Sequence, residues 1–163
     1  ILGLSEGPQV LVGSSMGGWM ALLMARAQPD KVAGLVTIAA APDFVEGMWA
    51  KFSDEQRAEM AATGRVARPS AYSTEPYIIT RRLIEEGRDH LVLTTPLPLP
   101  FPVHFLQGTA DVDVPVAVAL RLMDHVSGPD IRLTIVKGAD HRFSTPECLA
   151  LIERSVEMVL RQT

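Results

Sequence analysis

The sequence predicts an α/β domain built on a parallel sheet of four strands, and three observations carry that expectation. Short apolar runs alternate with helical stretches along most of the chain, the order expected of strand-helix repeats. One run, Val32 to Ala40, is apolar without alternation, as in a strand covered by helices on both faces. The regular order breaks only between Pro42 and about Pro102, which reads as an insert in a single domain. At 163 residues the chain is long enough for a hydrophobic core. A net charge of −4 with 47% apolar residues points away from disorder, and no basic stripe suggests nucleic acid.

Taken in order, Val10-Leu11-Val12 is the first expected strand. Trp19 to Ala27 follows as a helix apolar on every side, expected to be buried all round and stopped by Pro29-Asp30. Within the insert, Ser53 and Gln56 form a capping box for a helix running to about Thr63. Gly64 to Thr74 carries turn formers without a period, and Tyr77 to Glu86 reads as a second helix ended by Gly87. Pro96, Pro98, Pro100 and Pro102 make an extended connector into a strand over Val103–Gln107. A helix from Pro115 to Val126 follows. Ile131, Leu133 and Ile135 alternate with polar residues, as on a half-exposed edge strand. Thr145-Pro146 opens the last helix, with Leu149, Ile152, Val156 and Val159 along one face.

The chemistry is concentrated at three strand ends. Gly13-Ser14-Ser15-Met16-Gly17 matches G-x-S-x-G between a strand and a helix. A serine on such a tight turn is held in a strained backbone conformation, so its neighbours must be small enough for strand and helix to approach. The turn also places Ser15 at a helix N-terminus, which makes the backbone N–H of Met16 the expected oxyanion donor. A serine hydroxyl needs a base and an orienting carboxylate. His141, in Gly138-Ala139-Asp140-His141-Arg142, lies just past the last strand, and Asp111, in Gly108-Thr109-Ala110-Asp111, just past the one before. The order Ser, Asp, His along the chain fits the same motif, and the carboxyl ends of parallel strands share one edge. Asp43 and Asp113 are rival acids. Asp113 also reads as a cap for the Pro115 helix, and Asp140 as a residue that fixes the His141 loop. His90, His104 and His125 read as packing or surface residues, and Cys148 as a buried structural thiol. With strands ~4.8 Å apart, the first and last strand ends are roughly 14 Å apart, so the His141 loop must lean back across the sheet.

These motifs resemble the α/β-hydrolase superfamily, through Gly13 to Trp19, Gly108-x-x-Asp111-x-x-Val114-Pro115 and Asp140 to Ser144. Pro69-Ser70-x-Tyr72 and Thr80 to Arg88 narrow the likeness to the palmitoyl-protein thioesterases that also act as acyl-glucuronide esterases, mitochondrial enzymes with bacterial relatives. The resemblance implies hydrolysis of acyl thioesters or carboxylic esters by a serine triad, with a small lid or insert over about 43–100. It also implies strands upstream of the nucleophile strand and a second oxyanion N–H from one of their loops. The chain lacks an initiator Met and has few residues before Val10, so those strands are expected outside it, and the piece alone is expected to be poorly active. The alternatives are a general carboxylesterase or lipase, a serine peptidase of the same fold, and a binding module without catalysis. Phe44, Met48, Trp49 and Phe52 are candidates for either an acyl pocket or lid packing.

No cofactor and no metal site is expected. The expected partners are a small-molecule or acylated-protein substrate, with no nucleic acid, no stable membrane insertion and no signal for oligomeric state. A single cysteine and no signal-peptide pattern suggest a reducing, cytoplasmic setting, or a mitochondrial one if the source is eukaryotic.

Overall fold

A computed structural model describes residues 6–69 and 74–163. The start of the chain, and Ser70 and Tyr72 of the middle motif, lie outside the described residues. The chain divides into two compact units, one of Ile1–Pro42 with Val92–Thr163 and one of Asp43–Leu91.

The first unit holds a sheet of four parallel strands, β1 (Gln9–Ser14), β2 (Val32–Ile38), β6 (Val103–Gly108) and β8 (Ile131–Val136). Their spatial order is β1-β2-β6-β8. Every residue of β2 but Ala33 is buried, as its unbroken apolar run requires. β8 closes one edge; Ile131 and Leu133 are part-buried around an exposed Arg132 as expected, but the alternation then breaks, with Thr134 part-buried and Ile135 exposed. The fold is a parallel sheet flanked by helices. Helices α1 (Met16–Ala27), α5 (Val116–His125) and α6 (Pro146–Leu160) pack on the strands. Val36 and Ile38 join Leu106, Phe143, Cys148 and Val159 in one core cluster. Leu35 and Thr37, alternating with them on β2, are buried as well. Each large apolar side chain so buried contributes about 1.5–3 kcal/mol relative to exposure.

Two helix faces differ from expectation. α1 is not buried all round, since Met16 and Met20 are half exposed and only Gly18, Trp19, Ala21, Leu22 and Ala25 are buried. A helix against a single sheet face needs one apolar stripe, and on α1 Met16, Met20 and Ala27 lie outside it, with Leu23 and Met24 part-buried at its margin. On α6 the buried face runs through Cys148 rather than Leu149, which is 49% exposed, and continues through Ser155 and Val159. Thr145 caps this helix by accepting from the Cys148 N–H, and that fixes the phase of its first turn.

The proline-rich connector is extended as expected. Its β5 (Leu97–Pro98) pairs in parallel with β7 (Val126–Ser127), and Leu99 N–H donates to Ser127 O. These bonds place residues 92–100 with the first unit, so the second is shorter than the insert expected over about 43–100.

The second unit contains α2 (Phe44–Ala50), α3 (Asp54–Thr63), β3 (Arg65–Arg68), β4 (Tyr77–Thr80) and α4 (Arg81–Arg88). The capping box of α3 is complete in both directions, and Gly64 ends the helix in the left-handed region. The helix expected from Tyr77 to Glu86 is instead a strand followed by a helix. Tyr77–Thr80 pairs antiparallel with Arg65–Arg68, a stretch whose composition reads as turn formers. Thr80 then accepts from the Leu83 N–H and starts α4 there, and Gly87 lies inside that helix rather than ending it. β-branched isoleucines favour the strand, and a threonine in extended conformation is a strong start signal.

Candidate active site

The site begins with the turn between β1 and α1. Ser15 has φ 52°, a left-handed value that only a strongly determined turn imposes on a serine. Its N–H donates to Ile38 O at 2.9 Å, and its carbonyl accepts from Gly18 and Ala41 N–H. The small residues matter unequally. A Cβ on Gly13 would lie 2.3 Å from Gly17 O, and one on Gly18 2.8 Å from the Ala40 Cβ, whereas Gly17 itself has open space around it. Gly13 lets the turn close on itself, and Gly18, just outside the five-residue motif, lets α1 settle against the end of β2. Met16 is the first residue of α1, where a backbone N–H has no helix carbonyl to serve.

Asp111 follows β6 in a loop that saturates its carboxylate. Oδ1 accepts from the N–H groups of Asp113 (2.9 Å) and Val114 (2.8 Å). Oδ2 lies 2.9 Å from His141 Nδ1 and 3.2 Å from Gln107 Nε2. The Asp111 side chain is fully buried and that of His141 is 15% exposed. Because Asp111 can only accept, the ring proton belongs on Nδ1, which leaves the Nε2 lone pair for Ser15. Nε2 lies 3.1 Å from Ser15 Oγ. The structure therefore brings Ser15, His141 and Asp111 into one hydrogen-bonded chain from three strand ends.

The distance across the sheet is closed by folding the His141 loop back over β6. A Cβ on Gly108 would lie 2.1 Å from Ala139 O, so the absence of a side chain there lets the loop rest on the strand end. Ala110 N–H donates to Ala139 O at 3.0 Å, and Gly138 N–H to Thr109 Oγ1 at 2.8 Å. The acid loop and the base loop thus brace each other. Asp140 accepts from Phe143 N–H at 3.1 Å and fixes the turn after His141, the role expected of it.

The helix after Asp111 is not capped by Asp113. Its N-cap is Pro115, without a side-chain cap bond, and it is Asp111 that receives the loop N–H groups. Asp111, Asp113 and His141 also present ligand atoms within 4.8 Å of one another. A cation there would compete with the N–H donors that Asp111 already accepts. Of the other histidines, His104 is buried with Nε2 2.8 Å from Thr134 Oγ1, and His125 Nε2 lies 2.8 Å from Thr95 O. Burial holds the His104 ring below its usual basicity, Arg132 adds to that and Asp130 opposes it. Cys148 is buried as expected. Sequence reasoning missed Gln107, fully buried at the end of β6 in contact with Asp111, because glutamine in a strand carries no motif. In the second unit, the Trp49 ring is tilted against Phe52 at 5.7 Å, and the guanidinium groups of Arg57 and Arg88 lie over Trp49.

Among the described residues, no helix is long and apolar enough to cross a membrane. A family model described as alpha/beta hydrolase fold matches residues 2–79. The chain is 39% identical over 140 residues to the rat protein named palmitoyl-protein thioesterase ABHD10, mitochondrial, an alignment covering 85% of this chain and 47% of that one. Its human counterpart of the same name is 33% identical over 155 residues, covering 94% and 51%. The solved structure of alpha/beta hydrolase domain-containing protein 10 from mouse superposes with a TM-score of 0.86 at 33% identity, covering 97% of this chain and 64% of that one. The chain spans about half the length of the curated relatives it matches.

Proposed function

We propose that this chain, whose fold is that of the α/β-hydrolase superfamily, carries the catalytic part of a serine hydrolase that cleaves acyl thioesters or carboxylic esters through an acyl-enzyme. One observation carries the reading: Oγ of Ser15, the two ring nitrogens of His141 and Oδ2 of Asp111 form a continuous relay at 3.1 and 2.9 Å.

In that reading, Ser15 Oγ attacks the acyl carbonyl carbon while His141 Nε2 takes its proton. Asp111 holds the ring in place and stabilises the imidazolium. The tetrahedral oxyanion is met by the Met16 N–H at the start of α1, reinforced by the helix dipole. Collapse breaks the bond to sulfur or oxygen, His141 Nε2 returns the proton to the leaving thiol or alcohol, and the acyl group stays on Ser15. Water then repeats the sequence, with His141 as base, and releases the carboxylic acid. In this fold a second backbone N–H donor usually completes such a hole. Removal of one such donor typically costs about 3–4 kcal/mol.

The thioester preference and a mitochondrial setting both rest on the names of the rat and human relatives. The full-length protein should hydrolyse acyl thioesters faster than aminopeptide substrates, and Ser15→Ala should abolish turnover. Thioesterase activity that survives Ser15→Ala would end the proposal.

A further inference from the structure

We propose that Gln107 is a positioning residue for the Asp111 carboxylate, an inference that rests on the hydrolase reading above. The side chain is fully buried at the carboxyl end of β6. Its Nε2, with two hydrogens, lies within hydrogen-bond distance of three acceptors: Gly108 O at 3.2 Å, Val114 O at 2.9 Å and Asp111 Oδ2 at 3.2 Å. Three acceptors around one nitrogen also fix the amide's orientation, because a flipped amide would turn its oxygen toward all of them.

These partners form one device. Gly108 and Val114 stand at the two ends of the loop that carries Asp111, so a single side chain ties the loop ends together and touches the carboxylate between them. Oδ2 is also the oxygen that receives His141 Nδ1, so Gln107 acts on the acceptor that orients the imidazole. The other carboxylate oxygen accepts from the Asp113 and Val114 N–H groups. Without Gln107, the Oδ2 side of the carboxylate would keep only the histidine, the group it has to orient.

The amide is retained at a cost. Among the described residues, its Oε1 is buried without a hydrogen-bond partner. A buried orphan acceptor destabilises a fold, so a residue chosen for packing alone would be apolar at this position. Methionine has nearly the same shape and would fill the space without the orphan. The polar side chain is explained by what its nitrogen does for Asp111.

Two variants of the full-length protein separate positioning from packing. Gln107→Met keeps the volume and removes the donor. It should lower kcat about 10-fold or more with KM within about twofold, because the bound substrate does not touch Gln107. Gln107→Glu presents a group that donates only when protonated and repels Asp111 when ionised. The ratio of its kcat to that of the unsubstituted enzyme should therefore fall steadily from pH 5 to pH 8, whereas the Gln107→Met ratio should stay flat. A kcat for Gln107→Met within twofold of the parent, or a flat ratio for Gln107→Glu, would overturn the role. Should Gln107→Met fail to fold, the Gln107→Glu ratio decides. Failure of the parent enzyme to turn over thioesters would instead strike the hydrolase reading, so the two failures are distinguishable.

Discussion

Ser15 adopts a left-handed backbone conformation and Gly108 supports another chain segment where its side chain would have been, so the site depends on single residues with little tolerance. Asp111→Asn should lower kcat by about 10⁴-fold with the fold intact, measured with a thioester substrate, because an amide can present a donor to Nδ1 and favours the wrong tautomer. Gly108→Ala should act from outside the relay. Its Cβ would overlap Ala139 O, displace the His141 loop and lower kcat by about 10²-fold, with a stability loss of about 1–3 kcal/mol in denaturant titration. Ser15, Asp111 and His141 were legible in the sequence because each carries a reactive side chain just past a strand. The parts that join them were not. Gly108 was visible as a motif glycine without the reason for it, and the reach of His141 across the sheet depends on a backbone contact that no local pattern encodes.

At the scale of elements, legibility followed the strength of local signals. β2 was readable from its unbroken apolar run, and α3 from its complete capping box. β3, β4 and the true start of α4 were not, because strand pairing between residues 65–68 and 77–80 is a non-local choice that overrides a helix-like spacing. The Thr80 cap is the local signal that could have separated them. Thr80→Ala should therefore destabilise the Asp43–Leu91 unit by about 1 kcal/mol, seen as faster amide hydrogen exchange in α4, with the sheet of the first unit unaffected. The face of α6 was misjudged at Leu149 for a related reason, since the cap bond from Thr145 to Cys148 sets its phase.

For the molecule as a whole, stability is tied to pH through the buried His104. A ring held below its ordinary 6.5 in the folded state takes up a proton more readily when unfolded. Its contribution to stability is then complete above about pH 6.5 and is lost as the pH falls toward the folded value. The melting temperature should drop between pH 7 and pH 5, and His104→Gln, which can still donate to Thr134, should remove that part of the slope. An unchanged slope would contradict the burial argument. β1 is an edge strand here and Val12 on it is half exposed, in a chain that spans about half the length of its curated relatives.

The relay of Ser15, His141 and Asp111 is most directly tested by reacting the full-length protein with a fluorophosphonate and locating the adduct by peptide mass spectrometry. One equivalent should attach to Ser15, and the rate should fall at least about 10³-fold in His141→Ala. An adduct on another residue, or a labelling rate indifferent to His141→Ala, would contradict the account.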